Sequence, residues 1–189
     1  MQISDIQDRN GMYKYIAEHH NHPDHVIVEL GVFAGQNYRE IHYAAPEATL
    51  VGVDLWLRIK GVTDMLDDGS YQAMYNALKD WCSDKPKTGL MRGKTTECAK
   101  MVDDGQIDFL YIDANHSYEG CRDDIAAWAS KVKKGGIISG HDYFSEYSQD
   151  GYDFGVIKAV DELRFKHFDA PFHVTPEPYA PSWFMVKTW

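Results

Sequence analysis

The sequence of 189 residues lacks cysteine pairs, long apolar runs and an excess of positive charge. Its three cysteines, Cys82, Cys98 and Cys121, are scattered and form no Cys-x-x-Cys pair, which excludes a disulfide framework and a structural zinc site. No apolar run approaches the length needed to cross a membrane. The first five residues lack the basic-then-apolar pattern of a secretion signal. These absences predict a cytoplasmic protein.

The charge balance restricts the kind of partner. The chain carries 19 lysines and arginines against 29 acidic residues, a formal net charge of −10. Such a chain is a poor partner for a phosphate backbone or for an anionic membrane surface, so neither nucleic acid nor membrane binding is expected. The length suits one well-buried α/β domain over residues 1–189, with an N-terminal helix and loop over 1–24 and the core over 25–189.

Strand-like and helix-like segments alternate along the chain. This order predicts a Rossmann-like, doubly wound and mostly parallel sheet with helices on both faces. Three prolines between the last two strand-like segments favour an antiparallel edge hairpin there. Basic residues and glycines at 133–136 are expected to end the fifth main helix. Strands are predicted over 26–30, 50–55, 89–92, 107–113, 137–140, 172–175 and 183–187, and helices over 12–20, 37–44, 71–81, 95–102, 118–132 and 155–167.

The turn after the first predicted strand is the most informative motif. Glu29 ends the strand, and Gly31 and Gly35 follow in the spacing acid-x-Gly-x-x-x-Gly. A Gly-x-Gly-x-x-Gly turn would place backbone amides against a pyrophosphate, whereas a leading acid suits a ligand with a positive centre. S-adenosylmethionine (SAM) carries an ammonium and a sulfonium and has no phosphate. The simpler alternative is that Glu29 caps a turn that the glycines shape.

A second acid fits the same ligand. Asp54 ends the second predicted strand, about 20 residues after Gly35, where an acid typically holds the two hydroxyls of a ribose. The sequence therefore predicts a nucleoside-containing cofactor across the carboxyl ends of the strands. The candidate cofactor-binding residues are Glu29, Gly31, Phe33, Gly35, Asp54, Leu55 and Asp113.

These motifs resemble the class I SAM-dependent methyltransferases. More narrowly, they are similar to the small-molecule O-methyltransferase-like group with an Asp-x-x-His-Ser-Tyr signature, which stands here at residues 113–118. The resemblance extends over about residues 26–163. It implies a seven-stranded sheet whose last strand inserts antiparallel, in agreement with the proline-broken hairpin. The other matching segments are 29–35, 53–54, 112–119, 123–124, 134–136, 141–143 and 155–162.

A second group of polar residues ends the fourth and fifth predicted strands. Parallel neighbours open onto one crevice, so carboxylates and imidazoles there can form a site for a hard cation such as magnesium. Such a cation would lower the pKa of a substrate hydroxyl. In the alternative interpretation, Asp113 and Asp142 only bind the cofactor's amine and the loops. The candidate metal ligands are Asp113, Asn115, His141 and Asp142.

The resemblance bears on this group too. Related sugar and phenol O-methyltransferases use acids that end strands four and five as metal ligands, with one acid as base. Asn115 and His141 stand where those enzymes tend to carry acids. Fewer charges predict weaker magnesium binding, or a softer metal such as manganese or zinc.

His116 is a candidate general base or metal ligand, because the ordinary pKa of histidine lies near neutrality. The alternative is that it caps the helix that begins near Ser117, or that it bonds a neighbouring loop. Since the sulfonium is already a good leaving group, the enzyme needs mainly to align the attacking atom. The candidate catalytic residues are Asp113, His116 and Asp142.

Three further segments carry weaker signals. An aromatic loop over 143–153 suits a planar phenol or the apolar face of a sugar, or simply packs itself shut. It is expected to form a lid with residues 58–70. The histidines at 19, 20, 22 and 25 are expected to lie in a solvated loop rather than a metal site. Lys94 stands where the resembling family often places an acid against the adenine. The loop's aromatic residues are Tyr143, Phe144, Tyr147 and Tyr152, with Phe154 and Trp56 nearby.

The sequence thus predicts a SAM-dependent methyltransferase that acts on a hydroxyl of a small molecule. Sugar, phenol, lipid precursor and amine acceptors all stay open, as do the metal, the adenine contact and assembly into a homo-oligomer. One alternative is a SAM-binding or assembly protein that has lost turnover. Another is an NAD(P)-dependent oxidoreductase, against which the missing Gly-x-Gly-x-x-Gly turn argues.

Overall fold

The computed structural model describes residues 1–59, 66–144 and 154–189 and contains a seven-stranded sheet in the order β3-β2-β1-β4-β5-β7-β6. The strands are β1 (Val26–Leu30), β2 (Thr49–Asp54), β3 (Thr88–Arg92), β4 (Ile107–Ile112), β5 (Val132–Gly140), β6 (Phe172–Val174) and β7 (Trp183–Val186). The α-helices are α1 (Arg9–His19), α2 (Gln36–Ala44), α3 (Asp68–Cys82), α4 (Thr95–Cys98), α5 (Tyr118–Trp128) and α6 (Val156–Lys166). Short 3-10 helices cover Ile3–Asp5, Ala99–Met101 and Ala129–Lys131. The predicted fold class is confirmed.

The central strands are buried on both faces because helices cover both sides of the sheet. Every residue of β4 is buried, as its apolar sequence predicts. One core cluster includes Trp128 and Trp183, and the other includes Tyr38, Trp56 and Phe109. The sheet registers Leu30 opposite both Val53 and Ile112. The carboxyl ends of β1, β2 and β4 therefore lie side by side.

The last two strands form the predicted antiparallel hairpin. β7 pairs antiparallel with β5, and β6 pairs antiparallel with β7 at the edge of the sheet. Thr175 and Ser182 close the connection through a backbone hydrogen bond from Thr175 N to Ser182 O. The proline-rich segment between them stays outside the ladder, because proline has no N–H to donate.

The start of β5 corrects one sequence prediction. Residues 133–136 were expected to end the fifth helix, but α5 ends at Trp128 and residues 133–136 lie inside β5. Tertiary contacts decide this: Gly135 N donates to Lys187 O, and the Lys133 ammonium contacts both oxygens of Asp108. Gly135 adopts a φ of 87°, where the ladder is irregular. Partners distant in sequence thus override a local helix-end signal.

Helix α1 docks on the sheet through buried Met12 and Ile16, which share a core cluster with Ile27 and Phe109. The Asp8 side chain caps it by accepting from Gly11 N. The helix begins at Arg9, three residues earlier than predicted. That difference places Arg9 on an anchored helix rather than in a loop.

Most of the expected lid, residues 60–65 and 145–153, lies outside the described residues. Tyr147 and Tyr152 of the aromatic loop belong to this part. Across the described ranges, every helix is too short or too polar to cross a membrane.

The histidine segment before β1 differs from its prediction at one position. His19 and His22 are exposed, but His20 is buried and its ring contacts Phe109 edge-on. Neither ring nitrogen of His20 has a hydrogen-bond partner within the described part of the chain. Burial lowers the pKa of His20 to about 4, helped by the neighbouring His25. His20 is therefore a neutral core residue, not part of a solvated loop.

The buried His20 predicts acid sensitivity. Its unfolded form takes up a proton near pH 6.5, whereas the folded form does so only near pH 4. The free energy of unfolding should therefore fall as the pH drops from 6.5 to 4, by up to about 3 kcal/mol from this residue. In His20→Leu this part of the pH dependence should disappear in urea unfolding curves. His22→Leu, at an exposed position, should keep the wild-type slope, and an unchanged slope in His20→Leu would contradict the assignment.

Candidate active site

Backbone strain marks the edge of the sheet where the strands end. Among the described residues, non-glycine residues with positive φ include Phe33 (51°), Trp56 (42°) and Asp142 (56°), which follow β1, β2 and β5. Side-chain-bearing residues are seldom held in this region, and such strain concentrates at functional sites. The carboxyl edge of the sheet is therefore the candidate site.

The turn after β1 needs glycine at two positions. Gly31 has a φ of 83°, and a Cβ atom there would lie 2.0 Å from the carbonyl oxygen of Asp113. Gly35 has a φ of 78°, and its Cβ would lie 2.7 Å from Leu78 Cδ1. The first glycine thus lets the backbone after β1 touch the backbone after β4. The second lets the turn enter α2 against α3.

Glu29 is a buried carboxyl group with one oxygen unused. Its Oε1 accepts a hydrogen bond from Asn37 Nδ2 at 2.8 Å, and Asn37 Oδ1 accepts from the Tyr13 hydroxyl at 2.7 Å. Oε2 has no hydrogen-bond partner among the described residues. Burial raises the pKa of Glu29 to about 8. Glu29 therefore pairs with a side chain of α2 rather than capping the turn, and its free oxygen fits a cationic group such as the ammonium of SAM.

Asp54 holds two loops together. Its Oδ2 accepts from the backbone amides of Val32 and Phe33, at 2.9 and 2.8 Å, and its Oδ1 accepts from Trp56 N at 2.7 Å. The indole of Trp56 donates to Phe33 O at 2.8 Å. Leu55 follows Asp54 at the same edge. Sequence reasoning placed Asp54 correctly at the end of β2 but missed this use of its carboxylate, and its contact with a ribose stays a prediction.

The residues predicted for the reacting centre come together. His116 Nε2 lies 3.2 Å from Asp113 Oδ1 and 3.0 Å from Asp142 Oδ2. His141 Nδ1 lies 3.2 Å from Asp142 Oδ1 and 3.9 Å from Asp113 Oδ1. Asp113, His141 and Asp142 each offer one possible ligand atom, and these three atoms lie within 4.8 Å of one another. These four side chains are called the carboxylate–imidazole cluster below.

Contacts within the cluster shift the pKa of His116 and of Asp142. Burial alone would lower the pKa of His116, but the hydrogen bond to Asp113 and the charges of Asp142 and Asp113 outweigh it and raise the pKa. Burial would raise the pKa of Asp142, yet His141 and His116 lower it. The His116 ring also stacks on Phe154, with centroids 5.3 Å apart. The two carboxylates thus stabilise the protonated form of His116.

The start of α5 shows what caps this helix. Ser117 is the capping residue, since its side chain accepts from Gly120 N, so the alternative role of His116 as the cap is wrong. Asn115 Oδ1 accepts from Ser117 N at 3.0 Å. A Cβ at Gly120 would lie 2.3 Å from Asn115 Cγ. Asn115 thus packs against α5 and stabilises its first turn, and its role as a metal ligand stays a prediction.

Sequence reasoning missed Arg9. Its Nη2 lies 2.9 Å from His141 Nε2 and 3.7 Å from Asp113 Oδ2, although 132 residues separate Arg9 from His141. Tyr13, one turn further along α1, contacts Asn37 beside Glu29. Helix α1 therefore reaches both parts of the site. No local pattern could have found Arg9, because only the docking of α1 brings it to the strand ends.

The donor set fits a divalent cation only in part. Two carboxylates and an imidazole are suitable ligands for magnesium or manganese. However, Arg9 and His116 already contact these same side chains. With both of them charged, a guanidinium and an imidazolium balance the charges of Asp113 and Asp142. A cation would have to compete with these contacts.

A comparison with protein families decides the class. A sequence model described as a methyltransferase domain matches residues 28–143. The chain belongs to this methyltransferase family. The match runs from β1 to the residue after Asp142, so it includes the Glu29 turn, Asp54 and the whole carboxylate–imidazole cluster. SAM is the methyl donor of class I methyltransferases, and the class that the sequence motifs resemble is confirmed.

Solved structures of other methyltransferases share the fold. A candidate caffeoyl-CoA O-methyltransferase from Staphylococcus aureus is 12% identical, with a TM-score of 0.68 over 94% of this chain and 81% of that one. The cofactor-bound protein Rv0187 from MTB is 12% identical, with a TM-score of 0.65 over 100% and 81%. An rRNA methylase from Streptococcus thermophilus is 11% identical, with a TM-score of 0.62 over 94% and 95%. No curated protein sequence matches this methyltransferase.

These likenesses show the fold alone. Their names cover acceptors as different as a coenzyme A thioester and a ribosomal RNA, so the fold does not choose the acceptor. The acceptor of this methyltransferase must be argued from its own residues.

The contact between Gly31 and Asp113 predicts a large effect of one methyl group. Gly31→Ala should lower the free energy of unfolding by about 3 kcal/mol or more, because the Cβ overlaps a backbone carbonyl at a strained φ. Gly105→Ala is the matched control, since Gly105 also has positive φ but has no atom within 4 Å of its Cβ position. It should cost only about 1 kcal/mol. Equal losses in urea unfolding would show that the close approach is absent.

Proposed function

We propose that this methyltransferase transfers the methyl group of SAM to a hydroxyl group of a small molecule. The observation that carries the proposal is the buried Glu29, whose free oxygen lies at the same strand edge as the carboxylate–imidazole cluster. When bound, SAM supplies a methyl group on a sulfonium centre, which is already a good leaving group. The protein needs to bind and orient the cofactor, and to take a proton from the acceptor.

Three acids would bind the cofactor. Glu29, which ionises when a cation is near, and Asp113 lie beside the Gly31 turn, and this suits the ammonium of the methionine part. Asp54 would bind the ribose with the acceptor capacity that its three backbone hydrogen bonds leave. Phe33 is nearly half exposed in a strained backbone conformation and offers apolar surface at this turn, and the half-buried Leu55 follows Asp54 at the same edge.

His116 would remove the proton from the acceptor hydroxyl. Asp113 and Asp142 can only accept hydrogen bonds, so Nε2 of the neutral ring carries the proton and Nδ1 would take the proton of the acceptor, while both carboxylates stabilise the protonated ring. Phe154 stacks on the ring, and Phe144 packs on Phe154 with centroids 4.8 Å apart. This aromatic surface beside the base supports a phenol or the apolar face of a sugar as the acceptor.

Divalent-cation assistance is the second form of the proposal. Asp113, His141 and Asp142 would hold the ion, and bound magnesium would lower the pKa of the acceptor hydroxyl. Arg9 and His116 compete with it for the same atoms. A SAM-binding protein without turnover is the remaining alternative. Membership of a methyltransferase family leaves the oxidoreductase alternative without support.

Glu29 offers a direct test of cofactor binding. In Glu29→Gln, SAM should bind about tenfold more weakly or worse, because the amide keeps the contact with Asn37 but lacks the charge. At pH 7 the wild type should also release a proton on binding, since a carboxyl group with a pKa of about 8 must ionise to hold an ammonium.

Titration calorimetry in two buffers of different ionisation enthalpy measures both effects. Glu29→Gln should show no proton release from this group. Glu40→Gln, an exposed change on α2, should behave as the wild type. Equal SAM affinity in Glu29→Gln and the wild type would remove the main support for the proposal.

His116 tests the chemistry separately from binding. With a panel of phenols and sugars as acceptors, His116→Asn should form S-adenosylhomocysteine at least about 100-fold more slowly than the wild type. Its affinity for SAM should stay within about threefold, because the substitution leaves Glu29 and Asp54 in place. His19→Asn, on the exposed end of α1, is the control. If the wild type binds SAM but forms no product with any acceptor, the binding-only alternative is favoured.

A further inference from the structure

Arg9 lies in the carboxylate–imidazole cluster, where the sequence analysis did not predict it. Its guanidinium contacts His141 and Asp113, two of the three side chains that could hold a metal ion. We propose that Arg9 is the resident cation of the carboxylate–imidazole cluster and takes the place of a divalent metal ion. Only the catalytic consequence of this inference rests on the proposed function.

The first argument is the permanence of the charge. A guanidinium stays protonated at any physiological pH and carries N–H donors only. It therefore repels a second cation at Asp113 throughout the physiological pH range. A lysine or histidine at this position could lose its proton and allow a metal ion to bind.

The second argument is the tautomer of His141. Since arginine can only donate, the 2.9 Å contact with Arg9 Nη2 makes His141 Nε2 an acceptor without a proton. The proton of the neutral ring then sits on Nδ1, which donates to Asp142 Oδ1 at 3.2 Å. Nδ1 is the nitrogen nearest to both carboxylates. Arg9 thus removes the lone pair that a metal ion in the cluster would need.

The third argument is that Arg9 is held in place. Asp8 caps α1, Met12 and Ile16 anchor it in the core, and Tyr13 binds Asn37. The Arg9 side chain itself is 37% exposed, so a small molecule in the solvent can reach it. Arg9 therefore keeps a positive charge beside the base, where a metal ion would otherwise stabilise the ionised acceptor.

Manganese binding tests the proposal. Electron paramagnetic resonance of free Mn²⁺ should show no binding to the wild type at millimolar concentrations. Arg9→Met should bind Mn²⁺ at least about tenfold more tightly, because it removes a charge and frees His141 to move its proton. Lys14→Met is the matched control: it makes the same charge change on an exposed position of α1 and should behave as the wild type.

Two further variants make the result specific. Arg9→Met combined with Asp113→Asn should lose the gained affinity, which would place the ion in this cluster. Arg9→Gln repeats the test with a polar side chain if Arg9→Met does not fold, as judged by circular dichroism. Tight Mn²⁺ binding by the wild type would overturn the proposal. So would a gain that Asp113→Asn leaves unchanged, or Arg9 variants that fold and bind no better than the wild type.

The tautomer provides a readout that needs neither metal nor cofactor. Nitrogen-15 spectra of the imidazole rings should show His141 with its proton on Nδ1 in the wild type, assigned by the signal lost in His141→Gln. A His141 ring protonated on Nε2 alone would overturn the proposal. Chelation by EDTA should leave methyl transfer by the wild type unchanged. Failure of the proposed function would appear instead as absent SAM binding, with the manganese and tautomer results intact.

Discussion

The approach of two backbones at the carboxyl edge of the sheet is the constraint on which the site depends. Gly31 after β1 and Asp113 after β4 lie so close that no side chain fits between them. Because these strands are neighbours, the contact brings the buried Glu29 beside the cluster around His116. Asp54 extends the arrangement by holding the amides of the same turn from β2. The proposed cofactor side and the proposed acceptor side thereby share one edge.

Two groups of charged side chains at this edge differ in their charge balance. Glu29 is a buried acid with one unused oxygen, and its raised pKa shows that burial disfavours its charge until a cation is near. The carboxylate–imidazole cluster is the reverse case, because Arg9 and His116 balance Asp113 and Asp142. The first group is poised to receive a charged ligand. The second already contains Arg9 as a counter-charge, and the charge of His116 is added when that ring takes up a proton.

The secondary structure followed the local patterns where burial and periodicity agree. The fully buried β4, the acid-glycine turn and the antiparallel hairpin were predictable because a continuous apolar run, glycine and proline act within a few residues. The start of β5 was not, because Asp108 and Lys187 draw residues 133–136 into the sheet from far away in the chain. His20 was missed for the same reason. Its burial depends on Phe109, not on its polar neighbours.

The sequence by itself determined the class of protein. A class I methyltransferase is identified by the acid-x-Gly-x-x-x-Gly turn, Asp54 and the Asp-x-x-His-Ser-Tyr signature. This is possible because cofactor-binding chemistry is encoded in short, local motifs. Only the tertiary structure decided how the charges pair. It placed Arg9 against His141, gave Asp54 three backbone amides to hold and set Asn115 under the first turn of α5. Such contacts depend on how helices dock on a sheet, and docking is governed by shape and burial over the whole core rather than by neighbours in the chain.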